Sequence, residues 1–575
     1  MIPSSLSRSF TRPLTSSQNI QPELSESTLR GLIERITEDL RDIEAFLPIK
    51  ISTRRRERIR EFLTAELNSL KQYERDFQRL NQESQVDYLL IKNYMERELR
   101  QLDLDCKQDE KASALIPFAT ILVDLCEARA FVLPINSQEA AQKLFEVQVG
   151  IAEVIEKVEN ESTAQSIEKP VAFRAARTID ALRDHLNEWY LFYKGYDPSF
   201  DWWVSSPYGI VEKGLQNISA IVRDRLVGIK AGDDGAIVGQ PIGREGLLAD
   251  LRAEMIPYSP EELISIGEKE FDWCIGELKK ASSCMGLKSD WKQALEKVKN
   301  EYVEAGKQTQ LVKKLFNEAV EFVEKHDLVT VPSVAKNAWQ MFMMSPERQR
   351  VNPFFLGGDS IIVSYPTDTM DHEAKLMSMR GNNVHFARAT VFHEMIPGHH
   401  LQMHVNARSK PYRRIFDSPF SVEGWALYWE FLLWDDERFV KTPENRIGML
   451  FWRLHRCARI IFSIKFHLGQ MAPQECIDLL VNAVGHEYAT AEGEVRRSLS
   501  GEYSPLYQIG YMVGAIQIHA MRKEVVGQGI MSEKIFHDTF LKENRMPNEI
   551  MRALMLGKKL YPNYRPSWRF YSDAK

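Results

Sequence analysis

The sequence predicts a mainly α-helical protein with one small β-sheet. Three observations carry this. Apolar residues recur at helical spacing along most of the chain, β-branched runs are confined to two short stretches, and neither an internal repeat nor a low-complexity tract interrupts the pattern. In order, residues 1–25 are polar and Pro/Ser-containing and read as a disordered tail. Amphipathic helices are then expected over Leu29–Phe46, Arg55–Leu80, Val86–Leu104, Ala112–Val132, Glu139–Val158 and Pro170–Tyr193, with Leu32, Ile36, Leu40 and Ile43 forming the first stripe. Glycines and a proline cluster over Ala231–Arg244, which reads as a junction between a helical scaffold, 26–230, and a second helical domain, 231–575; one continuous fold fits equally. Ser259-Pro260-Glu261-Glu262 has the composition of a helix start, with Ser as N-cap, Pro in the first turn and acids after it. It opens Glu261–Ser282, followed by Trp291–Glu304 and Gln308–His326. Leu328–Val331 and Asp359–Tyr365 read as strands, and helices resume at Val422–Trp434, Arg446–Leu468, Pro473–Val484 and Ser504–Val525.

Composition narrows the function classes. With 44% apolar and 27% charged residues, the 575-residue chain can bury a sizeable core. A net charge of −6 gives no global attraction to nucleic acid, and the Arg54-Arg55-Arg56 run reads as a solvated helix face. No stretch approaches the roughly 20 apolar residues of a membrane span. The six cysteines form no Cys-x-x-Cys pair and read as reduced thiols, so a cytoplasmic protein is expected. Arg8 and Arg12 among serines are faintly like a transit peptide, but no amphipathic pattern supports that over a tail.

The chemistry concentrates in His393-Glu394-Met395-Ile396-Pro397-Gly398-His399-His400. A hydrolytic zinc site needs three protein ligands, one open position and a base. In His-Glu-x-x-His, two histidines four apart share a helix face beside the glutamate. Here position 397 is Pro. On an unbroken helix, residues six apart differ by roughly 240°, and residues seven apart are separated by roughly 10 Å along the axis. Neither His399 nor His400 would then join His393 on one metal at about 2.1 Å. Pro397 breaks the helix and Gly398 frees the backbone, so a two-residue bulge would bring His399 to the second ligand position. His400 is the alternative ligand. His400 and His404 are also an i, i+4 pair, but without an adjacent acid. A third ligand is expected from a neighbouring helix. Glu423, in Glu423-Gly424-Trp425-Ala426-Leu427-Tyr428, is the first candidate and Glu430 the second; Gly424 permits close helix approach, and Trp425 and Tyr428 could wall the site.

Phe392–Gln402 and Glu423–Tyr428 resemble a broad domain-of-unknown-function family of presumed zinc metallopeptidases, distantly similar to Taq-type carboxypeptidases and thimet-type oligopeptidases. The resemblance spans about 180–565, most closely at the motifs. It implies a helical gluzincin fold with the small sheet beside an active-site channel, one zinc ion on His393, His399 and Glu423, and Glu394 as base. Glu494-Val495-Arg496-Arg497 and Tyr507-Gln508-Ile509-Gly510 resemble two further family strings. They imply Tyr507, or Tyr511 one turn on, as the donor to a tetrahedral oxyanion, and Arg496 or Arg497 as the contact for a substrate carboxylate. The strand ending at Tyr365 would offer an edge to an extended peptide. The expected function is therefore a zinc-dependent peptidase acting on short peptides. Two other readings stay open: a zinc enzyme acting on a small amide or biosynthetic intermediate, and a non-catalytic helical binding protein, which would carry no stoichiometric zinc.

Overall fold

In the computed structural model, residues 26–159, 167–230, 236–349, 357–358, 360–501 and 503–572 are described, so the expected N-terminal tail lies outside them. The chain is mainly α-helical, with one two-stranded sheet among the described residues. It divides into two compact units. One comprises Met1–Glu153, Thr178–Gln216 and Leu560–Tyr564, the other Val154–Arg177, Asn217–Lys559 and Arg565–Lys575. The composition break at 230/231 falls inside the second unit. Gly239, in that Gly/Pro-rich stretch, lies so close to Phe466 that a Cβ there would sit 2.3 Å from its ring.

In the first unit, local signals explain the helix starts. Ser52 accepts from the Arg55 N–H at 3.2 Å and Asn81 from the Ser84 N–H at 2.8 Å, opening Thr53–Glu74 and Gln82–Ala112. The first helix, Glu26–Phe46, buries Leu29, Ile33, Ile36 and Leu40, so its buried stripe is offset from the expected Leu32-Ile36-Leu40-Ile43.

The second unit is built on two helix pairs that pack along their length: Pro260–Cys284 on Pro443–His467, and Pro419–Asp435 on Tyr507–Val525. Pro260–Cys284 starts with a reciprocal capping box: Ser259 N–H donates to Glu262 at 2.7 Å, and Glu262 N–H donates to Ser259 Oγ at 3.2 Å. Pro419–Asp435 is buried on nearly all sides, from Phe420 to Leu433, as expected for a helix at the centre of a core. Small residues let its partner come close. A Cβ on Gly514 would stand 2.2 Å from the Phe420 carbonyl oxygen, and one on Gly424 would stand 2.7 Å from the Gly514 backbone. Backbone therefore meets backbone at this crossing, which a β-carbon on either side would prevent.

The sheet pairs β1 (Met341–Met343) in parallel with β2 (Ile361–Val363), in the register Met341 to Ile361 and Met343 to Val363. The strand expected at Asp359–Tyr365 is thus present as a shorter element, whereas β1 carried no readable strand pattern. Leu328–Val331, expected as a strand, is irregular. Its polar backbone is taken by side chains instead: His537 Nδ1 lies 2.7 Å from the Leu328 carbonyl, and Asp538 accepts from the Thr330 N–H at 2.8 Å. A segment satisfied in this way needs no ladder partner.

Several histidines are buried in the second unit. Burial pushes His467 down to about 4 and His486 and His537 down to about 3, and it holds His455 well below the ordinary imidazole value. These groups stay neutral when folded but take up protons when unfolded below about pH 6.5. Their stability contribution is therefore present above that pH and is lost as pH falls from about 6.5 towards 4, at up to about 1.4 kcal/mol per pH unit per group. Denaturant midpoints measured from pH 6.5 to pH 4 should fall steeply below 6. A midpoint that stays level to pH 5 would contradict this account.

Candidate metal centre

The helix Val384–Glu394 begins at Asn383, whose side chain accepts the N–H groups of His385 and Phe386, both at 3.0 Å. It ends at Glu394. A new helix, His399–Asn406, starts after the cis Ile396–Pro397 bond. The chain is thus broken and restarted rather than bulged within one helix, which corrects the expected geometry. A Cβ on Gly398 would lie 1.8 Å from the His393 carbonyl oxygen, so this position requires glycine. Trp425 Nε1–H donates to the Pro397 carbonyl at 2.9 Å and fastens the turn to the neighbouring helix.

The turn brings the imidazoles of His393 and His399 to 5.0 Å between centroids, at 83°. Glu423, from Pro419–Asp435, faces both: its Oε2 lies 3.0 Å from His399 Nε2 and 3.6 Å from His393 Nε2. Among the described residues, His393, His399 and Glu423 are all buried and present one ligand atom each within 4.8 Å of one another. Two imidazole nitrogens and one carboxylate oxygen are the donor chemistry of a three-ligand zinc site. The outer nitrogen of His393, Nδ1, meets Glu430 Oε1 at 3.1 Å. This carboxylate–histidine pairing fixes which nitrogen faces the cluster. Glu430 therefore stands behind a ligand position, not in one.

The electrostatics follow from burial and from these contacts. Burial disfavours the His393 cation, yet the carboxylates of Glu423 and Glu430 prevail and raise its pKa to about 9. Burial likewise opposes the Glu423 carboxylate, but His399 and His393 hold it well below the usual carboxylate range. The Tyr507 hydroxyl donates to Glu423 Oε1. Burial first, then the Glu423 charge, keep that phenol protonated well above its usual range.

Tyr511 stacks on His393 at 6.0 Å and 11° and meets Tyr507 edge-on at 5.7 Å. Its hydroxyl lies 3.4 Å from Arg497 Nη2, and the Arg459 guanidinium sits 4.4 Å above its ring. Tyr507 and Tyr511 reach the cluster because the close backbone crossing at Gly424 and Gly514 carries their helix against Glu423.

The remaining sequence candidates are not part of the triad. His400 turns Nδ1 to the Gly358 carbonyl and Nε2 to the Ala335 carbonyl, both at 2.9 Å, so both nitrogens face away from the triad. Arg496 pairs with Glu492 on its own helix at 3.1 Å. Tyr365 follows β2, its N–H 3.3 Å from Gln349 Oε1, and its ring is not part of the cluster. Tyr428 faces away from the site, its hydroxyl 2.8 Å from His537 Nε2. Glu394 is half-buried and accepts the Gly357 N–H. Sequence reasoning passed over Arg456 and Arg459, although Arg453, Arg456 and Arg459 recur every three residues in the same helix as many apolar residues, a spacing that places charge against a core.

One family description matches residues 41–555. The chain belongs to DUF885. That family is described as bacterial protein of unknown function. No curated protein matches the chain. Among solved structures, the DUF885 chain resembles a "putative lipoprotein of unknown function" from Shewanella oneidensis, with TM-score 0.66 and 18% identity over 92% of this chain and 100% of that one. A "putative lipoprotein" from Colwellia psychrerythraea aligns with TM-score 0.50 and 18% identity, over 74% of this chain and 77% of that one. At such identities the likeness is one of fold. No described helix of the DUF885 chain is long and apolar enough to cross a membrane.

The His393–Glu430 contact makes a direct prediction. Glu430→Gln should weaken zinc binding about 10- to 100-fold, the usual cost of losing a ligand's outer carboxylate. Competition with a chelator of known affinity would measure it, and unchanged affinity would remove Glu430 from the centre.

Proposed function

We propose that this chain is a zinc-dependent hydrolase that cleaves peptide bonds in short peptides. The observation that carries the reading is the convergence of His393, His399 and Glu423 in one buried cluster, with Glu394, the next residue after His393, left outside the ligand set. Zinc, when bound, supplies an acidified water and polarises the substrate carbonyl. His393 and His399 offer it neutral imidazoles, His393 oriented by Glu430. Glu423 offers a carboxylate oxygen and keeps its second oxygen for Tyr507. Glu394 takes the proton of the attacking water and passes it to the leaving amine. Tyr507, held protonated, has a single O–H, which would turn from Glu423 Oε1 to the oxyanion. Tyr511 packs against His393 and keeps bulk water from that side of the ring.

The test is metal content followed by cleavage. Purified chain equilibrated with zinc and freed of excess metal should hold one ion per molecule by elemental analysis, and a mixture of short peptides should be cut, with new termini seen by mass spectrometry. Absence of stoichiometric zinc would overturn the metal assignment. Full zinc without cleavage of any peptide would overturn the peptidase assignment and favour a small amide substrate.

A further inference from the structure

We propose that His400 is a positioning residue for Glu394: it pins the Gly357–Gly358 turn, and the turn's N–H holds one oxygen of the Glu394 carboxylate. This rests on the peptidase reading above, in which Glu394 is the base. It gives a role to the motif histidine that the metal triad leaves out.

His400 is buried in the first turn of His399–Asn406. Its two nitrogens reach the backbone of two other segments. Nε2 lies 2.9 Å from the carbonyl of Ala335, in the short helix Ser333–Asn337, and Nδ1 lies 2.9 Å from the Gly358 carbonyl. A carbonyl oxygen only accepts, so the neutral ring can donate to one of the two and the doubly protonated ring to both. The residue before Gly358 completes the path: Gly357 N–H donates to Glu394 Oε2. That is the one hydrogen bond to the Glu394 carboxylate among the described residues.

The turn is tightly seated at both glycines. A Cβ on Gly357 would stand 1.9 Å from the Glu394 carbonyl oxygen and 2.7 Å from its Cα, so backbone lies against backbone there. Gly358 has φ +136°, which favours glycine, and a Cβ on it would meet Met403 Sδ at 3.3 Å. Met403 belongs to the same helix as His400. The turn therefore touches the chain on both sides of the break that follows Glu394: Gly357 against the end of Val384–Glu394, Gly358 against His399–Asn406. Glu394 is the last residue of its helix and half-buried, so its own helix does little to fix the carboxylate. A base must be held in its reactive geometry by groups whose own positions are fixed. The Gly357 N–H is such a group only while the Gly358 carbonyl is tied down, and His400 ties it.

His400→Leu fills the ring's space without a donor. Hydrogen exchange at the Gly357 amide in the zinc-loaded full chain reads the contact directly: it should be about 10-fold faster or more in His400→Leu than in wild type. The Gln402 amide, bonded to the Gly398 carbonyl at 3.0 Å, should keep its rate. With peptide substrate, His400→Leu should retain one zinc and lose about 10- to 100-fold in kcat with KM little changed, as expected when a reacting group is misplaced by about 1 Å. His400→Gln, which can donate to one of the carbonyls, should regain part of that loss. In a Glu394→Gln background, His400→Leu should cost less than about 2-fold, because the base it positions is already gone, whereas a purely structural histidine would cost the same factor in both backgrounds.

Equal Gly357 exchange in wild type and His400→Leu overturns the proposal. So does an equal loss of kcat in both backgrounds, and so does a folded His400→Leu chain that has lost its zinc, which would make His400 a ligand. If the Leu variant does not fold, His400→Gln takes its place in every comparison. If wild type cleaves no peptide, the peptidase reading fails by itself, and the exchange comparison still decides whether His400 holds the turn against Glu394.

Discussion

Glu394→Gln is expected to keep zinc at the level of the unmodified chain and to lose about 10²- to 10⁴-fold in kcat, the range spanned by a positioned general base. The argument is geometric. His393, His399 and Glu423 are the three residues that could offer ligand atoms to the proposed zinc, and Glu394 is not among them. The amide is isosteric with the carboxylate and can still accept the Gly357 N–H, so the local fold should persist. What is lost is the basic oxygen. Elemental analysis and steady-state rates on the same preparation separate the outcomes. Full turnover in the variant would remove Glu394 from the chemistry, and lost zinc would mean that the ligand set has been misassigned.

Gly514→Val should lower the melting temperature substantially and weaken zinc binding with it. A Cβ at 514 would lie 2.2 Å from the Phe420 carbonyl oxygen and 2.8 Å from Gly424 Cα. Neither atom belongs to a flexible side chain, so the helices Pro419–Asp435 and Tyr507–Val525 must separate. Overpacking of this kind costs about 1–3 kcal/mol or more. Separation also draws Tyr507 away from Glu423 and Tyr511 away from His393. Gly209→Ala is the control: no neighbouring atom lies within 4 Å of where its Cβ would stand, and it sits inside the helix Pro198–Val222. It should be neutral or stabilising by up to about 1 kcal/mol, because Ala favours helix over Gly. Equal melting temperatures for Gly514→Val and the unmodified chain would refute the close-crossing account.

Much of the architecture was legible locally. Ser259-Pro260-Glu261-Glu262 encodes its own helix start, because a cap and its acceptor are three residues apart in the chain. The apolar spacing located several helices within a few residues, Lys169–Tyr193 among them, but gave no helix over Pro198–Val222 or Tyr488–Leu499. Strands were harder. Leu328–Val331 has β-branched composition, yet it is held by His537 and Asp538, residues some two hundred positions away. Met341–Met343 has no strand signature and becomes one because Ile361–Val363 lies beside it.

The candidate metal centre divides in the same way. By itself the sequence determined that a helix bearing His393 and Glu394 could not continue through Pro397, because proline lacks the N–H and clashes with the preceding turn. It also offered Glu423 as a candidate, whereas Tyr507 came from the family resemblance. The choice among alternatives needed the fold. His399 rather than His400 faces Glu423 because the chain restarts its helix after Gly398, and the direction of that restart is fastened by Trp425 from another helix. Glu430 stands behind His393 only because Pro419–Asp435 packs against Val384–Glu394. A residue's type is written in the chain. Which atoms it faces depends on helices that are distant in sequence and are brought together by burial of the core.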